Sequence, residues 1–249
     1  MVLMILVLGG TTEGRRLSRA LTDAGVRHTL SLAGRTNIEP GTNSRVGGFG
    51  GVAGLVAYLQ SNEISGVIDA THPFANRMHW NAHEGCLKAA VPLLRLVRPG
   101  WKNHSHASSW HWVGSHEEAV ETLPVDATVL LTVGRQEAAR YSNHPGPVIV
   151  RVAEAPGEWC KAIPAEWEVI EARGPFALSD EKALLARVDA LISKDSGGSF
   201  NEPKLDAAHE LGVSVVMIAR PTSPPADECT RVEDAVRWAV DHSRPSPAT

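Results

Sequence analysis

The fold is decided near the N-terminus by the stretch Ile5-Leu6-Val7-Leu8-Gly9-Gly10-Thr11-Thr12-Glu13-Gly14-Arg15-Arg16. An apolar run stops at two glycines, and a helical pattern begins directly after them, with Leu17, Ala20, Leu21 and Ala24 on one face. Glycine suits a tight turn because it adopts backbone angles that other residues avoid. The stretch therefore predicts a buried strand, a turn and a helix, the opening unit of a parallel α/β sheet.

The same alternation of short apolar runs and helical patterns continues along the chain. Further strands are predicted at 28–33, 67–70, 91–97, 111–113, 128–133, 147–152, 168–171, 190–193 and 213–218. This alternation predicts parallel sheets covered by helices. Because the pattern restarts near Pro124, we predict an α/β protein with two Rossmann-like lobes, 1–124 and 125–249, and an active site in the cleft between them. A Pro- and Ser-rich tail from about residue 243 is predicted to be disordered.

The bulk composition excludes several classes of protein. The chain has 249 residues, 43% hydrophobic and 21% charged, as ordinary globular domains have. A formal net charge of -4 gives no reason to expect a nucleic-acid surface. The first apolar run is too short to span a bilayer, and Cys86, Cys160 and Cys229 lack disulfide or metal spacing. We therefore expect a cytoplasmic protein with reduced cysteines and no membrane or nucleic-acid partner.

The turn after the first strand has the position and the glycines of a phosphate-binding loop. In dinucleotide-binding folds the phosphates meet backbone amides and the positive end of the next helix at this point. Thr11 stands where the usual G-x-G-x-x-G pattern has its second glycine, so a turn that merely needs glycine is the alternative. The residues predicted to contact a dinucleotide here are Gly9, Gly10, Thr11, Thr12 and Gly14.

The end of the second predicted strand distinguishes the two nicotinamide dinucleotides. NAD-binding folds usually place Asp or Glu there, where the carboxylate holds the ribose 2′-hydroxyl. This chain has Gly34 and Arg35 instead, and a guanidinium can pair bidentately with a 2′-phosphate. The sequence therefore predicts NADPH as the cofactor, with a solvated surface side chain as the alternative interpretation of Arg35.

Four further strings follow predicted strands, at the sheet edge where open α/β proteins bind ligands. They are Asp69-Ala70-Thr71-His72-Pro73-Phe74-Ala75, Arg95-Leu96-Val97-Arg98-Pro99-Gly100-Trp101, Ser193-Lys194-Asp195-Ser196-Gly197-Gly198 and Ile218-Ala219-Arg220-Pro221. Together with the glycine turn, their order and spacing resemble the precorrin-6A reductase family of cobalamin biosynthesis. The resemblance implies a two-domain Rossmann-like fold and NADPH-dependent reduction of the precorrin-6A macrocycle to precorrin-6B. It also implies hydride addition at C19 and proton addition at C18, on a substrate with or without cobalt.

The charged residues near strand ends agree with a large tetrapyrrole that carries many carboxylates. Such a ligand needs cations and amide donors. Asn201 is predicted to cap the helix after the Ser-Gly-Gly turn, whose amides could hold a carboxylate. An ordinary solvated side chain is the alternative for each cation taken singly. The predicted substrate-binding residues are Arg98, Arg135, Arg173, Lys194, Ser196, Gly197, Gly198, Lys204 and Arg220.

His72 and Lys194 are the candidate proton donors or positioning groups. Thr71, His72 and Pro73 follow a central strand, so they are predicted to lie at the nicotinamide end of the cofactor. Histidine also titrates in the working range of pH. Asp69 is predicted to be structural, while Asp195 and water are alternative proton sources. No dedicated acid is required, because hydride transfer is the chemistry of the cofactor.

Three histidines form a local cluster after the predicted strand at 91–97. His104, His106 and His111 lie close together, but no carboxylate or cysteine nearby completes a metal set, so we predict no metal. A non-catalytic NADP-binding redox sensor is one alternative function. A Rossmann-like methyltransferase is another, although Arg35 argues against it because an acid usually grips the ribose of that cofactor.

Overall fold

The computed structural model describes residues 3–34 and 43–243. The chain divides into two compact units. We call them the first lobe (Met1–Arg98 with Pro221–Thr249) and the second lobe (Pro99–Arg220). Arg35 and the predicted tail after residue 243 lie outside the described residues.

The described strands, in chain order, are β1 (Met4–Leu8), β2 (His28–Leu32), β3 (Ser44–Val46), β4 (Ile64–Asp69), β5 (Leu93–Leu96), β6 (His111–Val113), β7 (Val129–Thr132), β8 (Val148–Val152), β9 (Glu168–Glu171), β10 (Ala190–Lys194), β11 (Ser214–Ile218) and β12 (Asp227–Cys229). The described helices are α1 (Thr12–Asp23), α2 (Gly51–Ser61), α3 (Asn76–Ala89), α4 (His116–Glu121), α5 (Arg135–Ala138), α6 (Gly157–Cys160), α7 (Leu178–Leu185), α8 (Pro203–Leu211) and α9 (Val232–His242).

The first lobe is a parallel sheet in the order β12-β5-β4-β1-β2-β3, with helices on both faces. On β1, Ile5 and Val7 pack with α1 and α9, whereas Leu6 and Leu8 pack with α2 and α3. Successive side chains of a strand point to opposite faces. A strand that is covered on both faces must therefore be apolar throughout, which explains the uninterrupted hydrophobic run of β1.

The second lobe is a parallel sheet in the order β6-β11-β10-β7-β8-β9. Its core brings Leu130, Leu191 and Met217 of the central strands together with Leu185 of α7 and Leu205 of α8. Both lobes are therefore parallel-sheet α/β units, and the predicted fold class is confirmed. In the described part of the chain, no helix has both the length and the apolar character needed to cross a membrane.

The first sheet takes one edge strand from a separate segment of the chain, and the second sheet is built from one continuous segment that begins with an edge strand. β12 completes the first sheet beside β5, although it follows the whole second lobe in the chain. β6 completes the second sheet beside β11, although it precedes the other strands of that sheet. Without these two strands, the orders β3-β2-β1-β4-β5 and β9-β8-β7-β10-β11 are equivalent. Both match the doubly wound arrangement, in which ligands bind where the strand order reverses.

The observed division of the chain corrects the predicted boundary at residue 124. β6 and α4 lie before Pro124, yet β6 is hydrogen-bonded to β11 of the second lobe. β12 and α9 come late in the chain, yet β12 is hydrogen-bonded to β5 and α9 packs against α1. A single cut in the sequence cannot describe a first lobe that is interrupted by the whole of the second lobe.

Candidate active site

The glycine turn of the first lobe has a backbone that lies very close to β2 and to the start of α1. Gly10 has φ +120°, a conformation that strains residues with a side chain. A Cβ on Gly9 would lie 2.5 Å from Cδ1 of Leu30, so the backbone of the turn is pressed against β2. Gly14 brings α1 to the sheet, because a Cβ there would lie 3.2 Å from Cα of Gly9. These glycines therefore serve the turn and the packing of helix on strand.

Thr11 links the start of α1 to Ala70, the residue after β4, through two hydrogen bonds of its hydroxyl. Its hydroxyl accepts a hydrogen bond from the amide of Gly14 at 3.0 Å and donates one to the carbonyl of Ala70 at 2.7 Å. The first contact is an N-cap, which leaves other amides of the first turn of α1 without partners inside the helix. The threonine that departs from the usual glycine pattern thus joins the two strand ends that flank the point of reversal. Thr12 is the first residue of α1.

Gly34 ends the second strand in a left-handed turn. Its φ is +71°, and a Cβ there would lie 2.8 Å from Cγ1 of Val46 on β3. Glycine is therefore required at this turn for both conformation and space. The prediction that Arg35 contacts a 2′-phosphate falls outside the described residues and stays a prediction.

Asp69 at the end of β4 is buried and fully bonded. It accepts hydrogen bonds from the amide of Thr71 at 3.1 Å, from the Thr71 hydroxyl at 2.7 Å and from Nδ1 of His79 at 2.6 Å. Nε of Arg95 lies 3.8 Å away. Burial alone would raise the pKa of Asp69, but His79 and the Thr71 donors outweigh burial and hold that pKa below its usual range. The predicted structural role of Asp69 is confirmed by these contacts.

His72 lies in the loop between β4 and α3, which Asp69 fixes through Thr71. Nδ1 of His72 accepts a hydrogen bond from the amide of Phe74 at 3.2 Å. The neutral ring therefore carries its proton on Nε2. His72 and Pro73 are half-buried, so the loop is open to solvent on one side.

Arg98 contacts the glycine turn of its own lobe. Its Nη1 lies 3.4 Å from Oε2 of Glu13, in the first turn of α1. Both side chains are largely buried. The predicted substrate contact of Arg98 stays a prediction, and the observed contact places its guanidinium beside the start of α1.

The loop after β10 in the second lobe is built by glycines and one buried acid. Gly197 and Gly198 have φ +67° and +79°, and a Cβ on Gly197 would lie 2.2 Å from the carbonyl oxygen of Pro99. Asp195 is only 2% exposed. Its carboxylate accepts a hydrogen bond from the amide of Trp101 at 2.8 Å, and its backbone carbonyl accepts one from Nε of Arg220 at 3.0 Å. The carboxylate of Asp195 therefore holds the loop together.

Lys194 is the last residue of β10, and its side chain lies near the turn that follows β7. A Cβ on Gly134, which follows β7, would lie 3.8 Å from the Lys194 Nζ. Burial lowers the pKa of Lys194, and the charge of Glu137 opposes that effect. The ammonium therefore lies at the carboxyl edge, beside a glycine turn equivalent to that of the first lobe.

Lys204 on α8 is buried at the same edge. Its Nζ donates to the Thr132 hydroxyl at 3.2 Å and lies 5.5 Å from the ring centroid of Trp101. Burial is the main cause that lowers the pKa of Lys204 to about 7, with the charges of Arg151 and Lys194 acting in the same direction and Glu181 opposing them. Lys204 was predicted as one of the substrate-binding cations, with a solvated side chain as the alternative, and the residue is only 5% exposed.

The other predicted cations of the second lobe do not converge on one point. Arg173 follows the edge strand β9, where it is largely exposed and paired with Glu154. Arg135 begins α5, and its carbonyl accepts Nε1 of Trp159 at 2.8 Å. Lys194, Lys204 and the Ser196–Gly198 loop lie at the strands where the order reverses, whereas Arg173 lies at the opposite edge from β6. The structure thus groups part of the predicted set.

Comparison with known proteins gives the family. The family model described as Precorrin-6x reductase CbiJ/CobK matches residues 4–240. This chain belongs to the precorrin-6x reductase family. It is 39% identical over 242 residues to a precorrin-6A reductase of Rhodococcus erythropolis, covering 94% of this chain and 96% of the relative. It is 30% identical over 236 residues to a cobalt-precorrin-6A reductase of Salmonella typhimurium, covering 88% of each chain.

A solved structure agrees with the precorrin-6x reductase fold. The structure described as CobK precorrin-6A reductase superposes with a TM-score of 0.86 and 38% sequence identity. The comparison covers 96% of this chain and 97% of the other. The resemblance predicted from the five sequence strings is therefore confirmed, and so is the fold class.

The histidine cluster of this precorrin-6x reductase does meet carboxylates, contrary to the prediction. Nε2 of His104 lies 3.5 Å from Glu202 and 3.5 Å from Asp206, both near the start of α8. The ring of His106 stacks on His209 at 3.6 Å. Within residues 3–34 and 43–243, no group of His, Cys, Asp or Glu is arranged to hold a metal ion. The acids were missed because they are distant in the sequence.

Functional groups missed by the sequence analysis lie inside helices and strands. His79 of α3, which supports Asp69, has no motif around it. Arg151 on β8 and Glu181 on α7 form a buried ion pair at 2.6 Å beside Lys204. The Asn201 cap was wrong, because Pro203 opens α8 and Glu202 precedes it. A charged residue inside a predicted strand was the available signal for Arg151.

Proposed function

We propose that this chain reduces precorrin-6A to precorrin-6B, with NADPH as the hydride donor, hydride added at C19 and a proton at C18. The observation that carries the proposal is the glycine turn at the β1/β4 reversal, in a chain 39% identical to a precorrin-6A reductase over nearly its full length. Membership in a family of reductases speaks against the methyltransferase alternative. The proposal therefore assigns cofactor binding to the first lobe and the reduction of precorrin-6A to the chain.

The first lobe fits a nicotinamide dinucleotide. Gly10 takes a conformation that clears the approach of phosphate oxygens, and α1 presents free amides and its positive end to them. NADPH, when bound, supplies the hydride. The residues that would hold it are Gly9, Gly10, Thr11, Thr12 and Gly14 at the phosphates, Gly34 and Arg35 at the 2′-phosphate, and Thr71, His72 and Pro73 at the nicotinamide end.

Replacing Arg35 with alanine tests the choice of NADPH. We expect a 10- to 100-fold weaker affinity for NADPH, because a hydrogen bond to a charged group contributes about 1.5–3 kcal/mol. Affinity for NADH should change little, since NADH lacks the 2′-phosphate. Fluorescence titration with both cofactors measures the two effects, and an equal loss for both would remove Arg35 from the 2′-phosphate site. Arg27→Ala, a change on the same lobe, is the control.

The second lobe supplies cations and amides for the substrate carboxylates. Lys194 ends β10 and Arg220 comes just after the neighbouring β11, and the loop at Ser196, Gly197 and Gly198 lies between them in sequence. Lys204 lies at the same carboxyl edge, while Arg98, Arg135 and Arg173 would contribute from outside this group. A polycarboxylate ligand is attracted to such a set of cations in a protein whose overall charge is -4.

Two side chains can supply the proton for C18. Lys194 has a pKa lowered chiefly by burial, which brings its proton closer to the working range. His72 can donate only from Nε2, because its Nδ1 accepts the amide of Phe74. Hydride transfer itself needs the two reactants held in line and shielded from water, which is the main task left to the protein.

The cobalt-free substrate is the better-supported one. This chain is 39% identical to the precorrin-6A reductase relative and 30% identical to the cobalt-precorrin-6A reductase relative, with similar coverage. We therefore propose precorrin-6A without cobalt as the substrate, and cobalt-precorrin-6A as the second candidate.

The test is an anaerobic absorbance assay of the purified protein with precorrin-6A and NADPH. We expect one NADPH oxidised for each tetrapyrrole whose spectrum changes, and little oxidation in a parallel reaction with NADH. Oxidation with cobalt-precorrin-6A alone would exchange the two substrate candidates. NADPH that binds but is not consumed with either tetrapyrrole would overturn the reductase proposal and favour the redox sensor.

A further inference from the structure

Lys204 occupies the reversal point of the second sheet, the position at which open α/β sheets bind ligands. β7 and β10 are neighbours there, with Thr132 paired in register with Ser193. The chain runs outward from β7 through β8 and β9, then returns to β10 on the other side. The Lys204 Nζ lies against Thr132 at the carboxyl end of β7. In the first sheet, the glycine turn occupies the equivalent position.

The hydrogen bonds around Lys204 suit the neutral amine better than the ammonium. An ammonium carries three donors. Across the part of the chain that the structure describes, Thr132 is the one hydrogen-bond acceptor of Lys204, at 3.2 Å. The Thr132 hydroxyl gives its own proton to the carbonyl of Ile192 at 3.0 Å. Two protons of a charged Lys204 would therefore be buried without acceptors, which is costly.

The charges around Lys204 leave an excess of positive charge. Arg151 on β8 and Lys194 on β10 both repel an ammonium at Lys204, and Glu181 on α7 attracts it. Oε1 of Glu181 is bound to Arg151 at 2.6 Å, and its Oε2 is buried with no hydrogen-bond partner among the described residues. The nearby acids Glu202, just before α8, and Asp206, on α8, lie beside His104 instead. An anion at this edge would supply the missing negative charge.

We propose that the carboxyl edge between β7 and β10 binds one carboxylate of the substrate, and that Lys204 takes up a proton as that carboxylate binds. The proposal rests on the proposed function for the identity of the ligand as a polycarboxylate tetrapyrrole. A carboxylate near Lys204 supplies both an acceptor for the buried protons and a negative charge, so it favours the ammonium. Binding and protonation at this site then stabilise each other.

The coupling of protonation to binding predicts the direction in which ligand affinity changes with pH. Free Lys204, with a pKa of about 7, is largely neutral at pH 8. If the bound form is charged, binding at pH 8 takes up close to one proton, so affinity rises as pH falls toward 7. The increase approaches tenfold per pH unit for one coupled proton. Below the free pKa the residue is charged before binding, and the dependence levels off.

Calorimetry without NADPH measures the proton uptake directly. The probe is uroporphyrin, a stable polycarboxylate tetrapyrrole, titrated at pH 8 in two buffers with different ionisation enthalpies. The wild type is expected to take up close to one proton per molecule bound. Omitting NADPH keeps out the proton that reduction consumes. A protein that reduces precorrin-6A but shows no uptake would therefore overturn this inference while leaving the proposed function intact.

Variants at Lys204 separate the coupled proton from general charge effects. Lys204→Met should abolish the proton uptake and weaken binding at pH 7 by about tenfold, the loss of one charge-assisted contact. Lys161→Met is the matched control, since Lys161 is exposed and paired with Glu158 in the same lobe. Uptake that persists in Lys204→Met, or uroporphyrin that fails to bind the wild type, would reject the subsite.

Trp101 gives a second readout that needs no ligand. Its ring centroid lies 5.5 Å from the Lys204 Nζ, so a change of charge there should alter the indole emission. We expect a fluorescence transition near pH 7 that is lost in both Lys204→Met and Trp101→Phe. The Lys204→Met protein should remain folded, because methionine fills the site without a buried charge. A transition that persists in Lys204→Met would assign the titration to another group and contradict the proposal.

Discussion

Replacing Glu181 with leucine is expected to lower the free energy of unfolding by about 3–5 kcal/mol. Glu181 is 1% exposed and pairs with Arg151 at 2.6 Å, and Lys204 lies beside the pair. Its removal leaves the Arg151 guanidinium buried next to another basic group and over the ring of Phe176, at 4.0 Å from the ring centroid. Urea unfolding followed by circular dichroism measures the loss at pH 7.

A double variant shows whether the effect comes from the uncompensated charge. Arg151→Met combined with Glu181→Leu replaces the buried pair by apolar side chains, which is often neutral or stabilising. We therefore expect the double variant to recover most of the stability that Glu181→Leu loses. Glu158→Leu, at an exposed pair with Lys161, should leave the midpoint nearly unchanged. A double variant as unstable as the single one would mean that shape, rather than charge, sets the loss.

Replacing Asp69 with alanine is expected to cost a similar amount, about 3–5 kcal/mol at pH 7. The Asp69 side chain is fully buried and accepts from Thr71 and His79, with Arg95 nearby. Its loss leaves those donors without an acceptor, so the loop that carries His72 becomes less well ordered. Thr11, at the start of α1, is hydrogen-bonded to Ala70 beside Asp69. We therefore expect the affinity for NADPH to fall in the same variant. Chemical denaturation and NADPH titration measure the two effects.

The contribution of Asp69 to stability has a predictable pH window. Its pKa in the folded protein lies below the usual range, because His79 and Thr71 outweigh the effect of burial. The unfolded chain therefore binds this proton at a higher pH, about 3.9. The stabilisation is fully present above that value and is lost as pH falls toward the folded pKa. The difference between wild type and Asp69→Ala should thus narrow in acid, whereas a constant difference would contradict the charged role of Asp69.

Glu228→Gln is the matched control for Asp69. Glu228 also contacts Arg95, at 3.0 Å, but its side chain is about half exposed. Water can replace its charge, so the expected loss is small. A loss as large as that of Asp69→Ala would indicate that Arg95, rather than the end of β4, is the critical element.

The central strands and the first turn could be predicted from the sequence because local patterns determine them. β1 is an uninterrupted apolar run that ends at Gly9, and that signal needs no knowledge of distant residues. β12 carried no such signal, since Asp227, Glu228 and Cys229 form a short polar edge strand. β6 was predicted as a strand but assigned to the wrong lobe, because its partner β11 lies about a hundred residues away.

Site residues at the ends of strands could be predicted from the sequence, whereas those whose position depends on helix packing could not. Asp69, His72 and Lys194 follow central strands, so topology alone brings them to the carboxyl edge. Lys204 was identified as a cation near that edge, but its burial depends on how α8 packs over Thr132 and Trp101. His79 reaches Asp69 from within α3, and no spacing rule links the two positions. Tertiary packing, rather than local pattern, decides these contacts.

The late position of β12 in the chain sets the order in which the two sheets can be completed during synthesis. Every strand of the second sheet lies between residues 111 and 218, so that sheet can close before the ribosome reaches β12. The first sheet starts at Met4 but needs Asp227–Cys229, and until then β5 exposes an unpaired edge. The N-terminal lobe is therefore begun first and finished last. A nascent chain can therefore reach a stage in which the second lobe is complete while the first lobe still has an unpaired edge at β5, open to pairing with another chain.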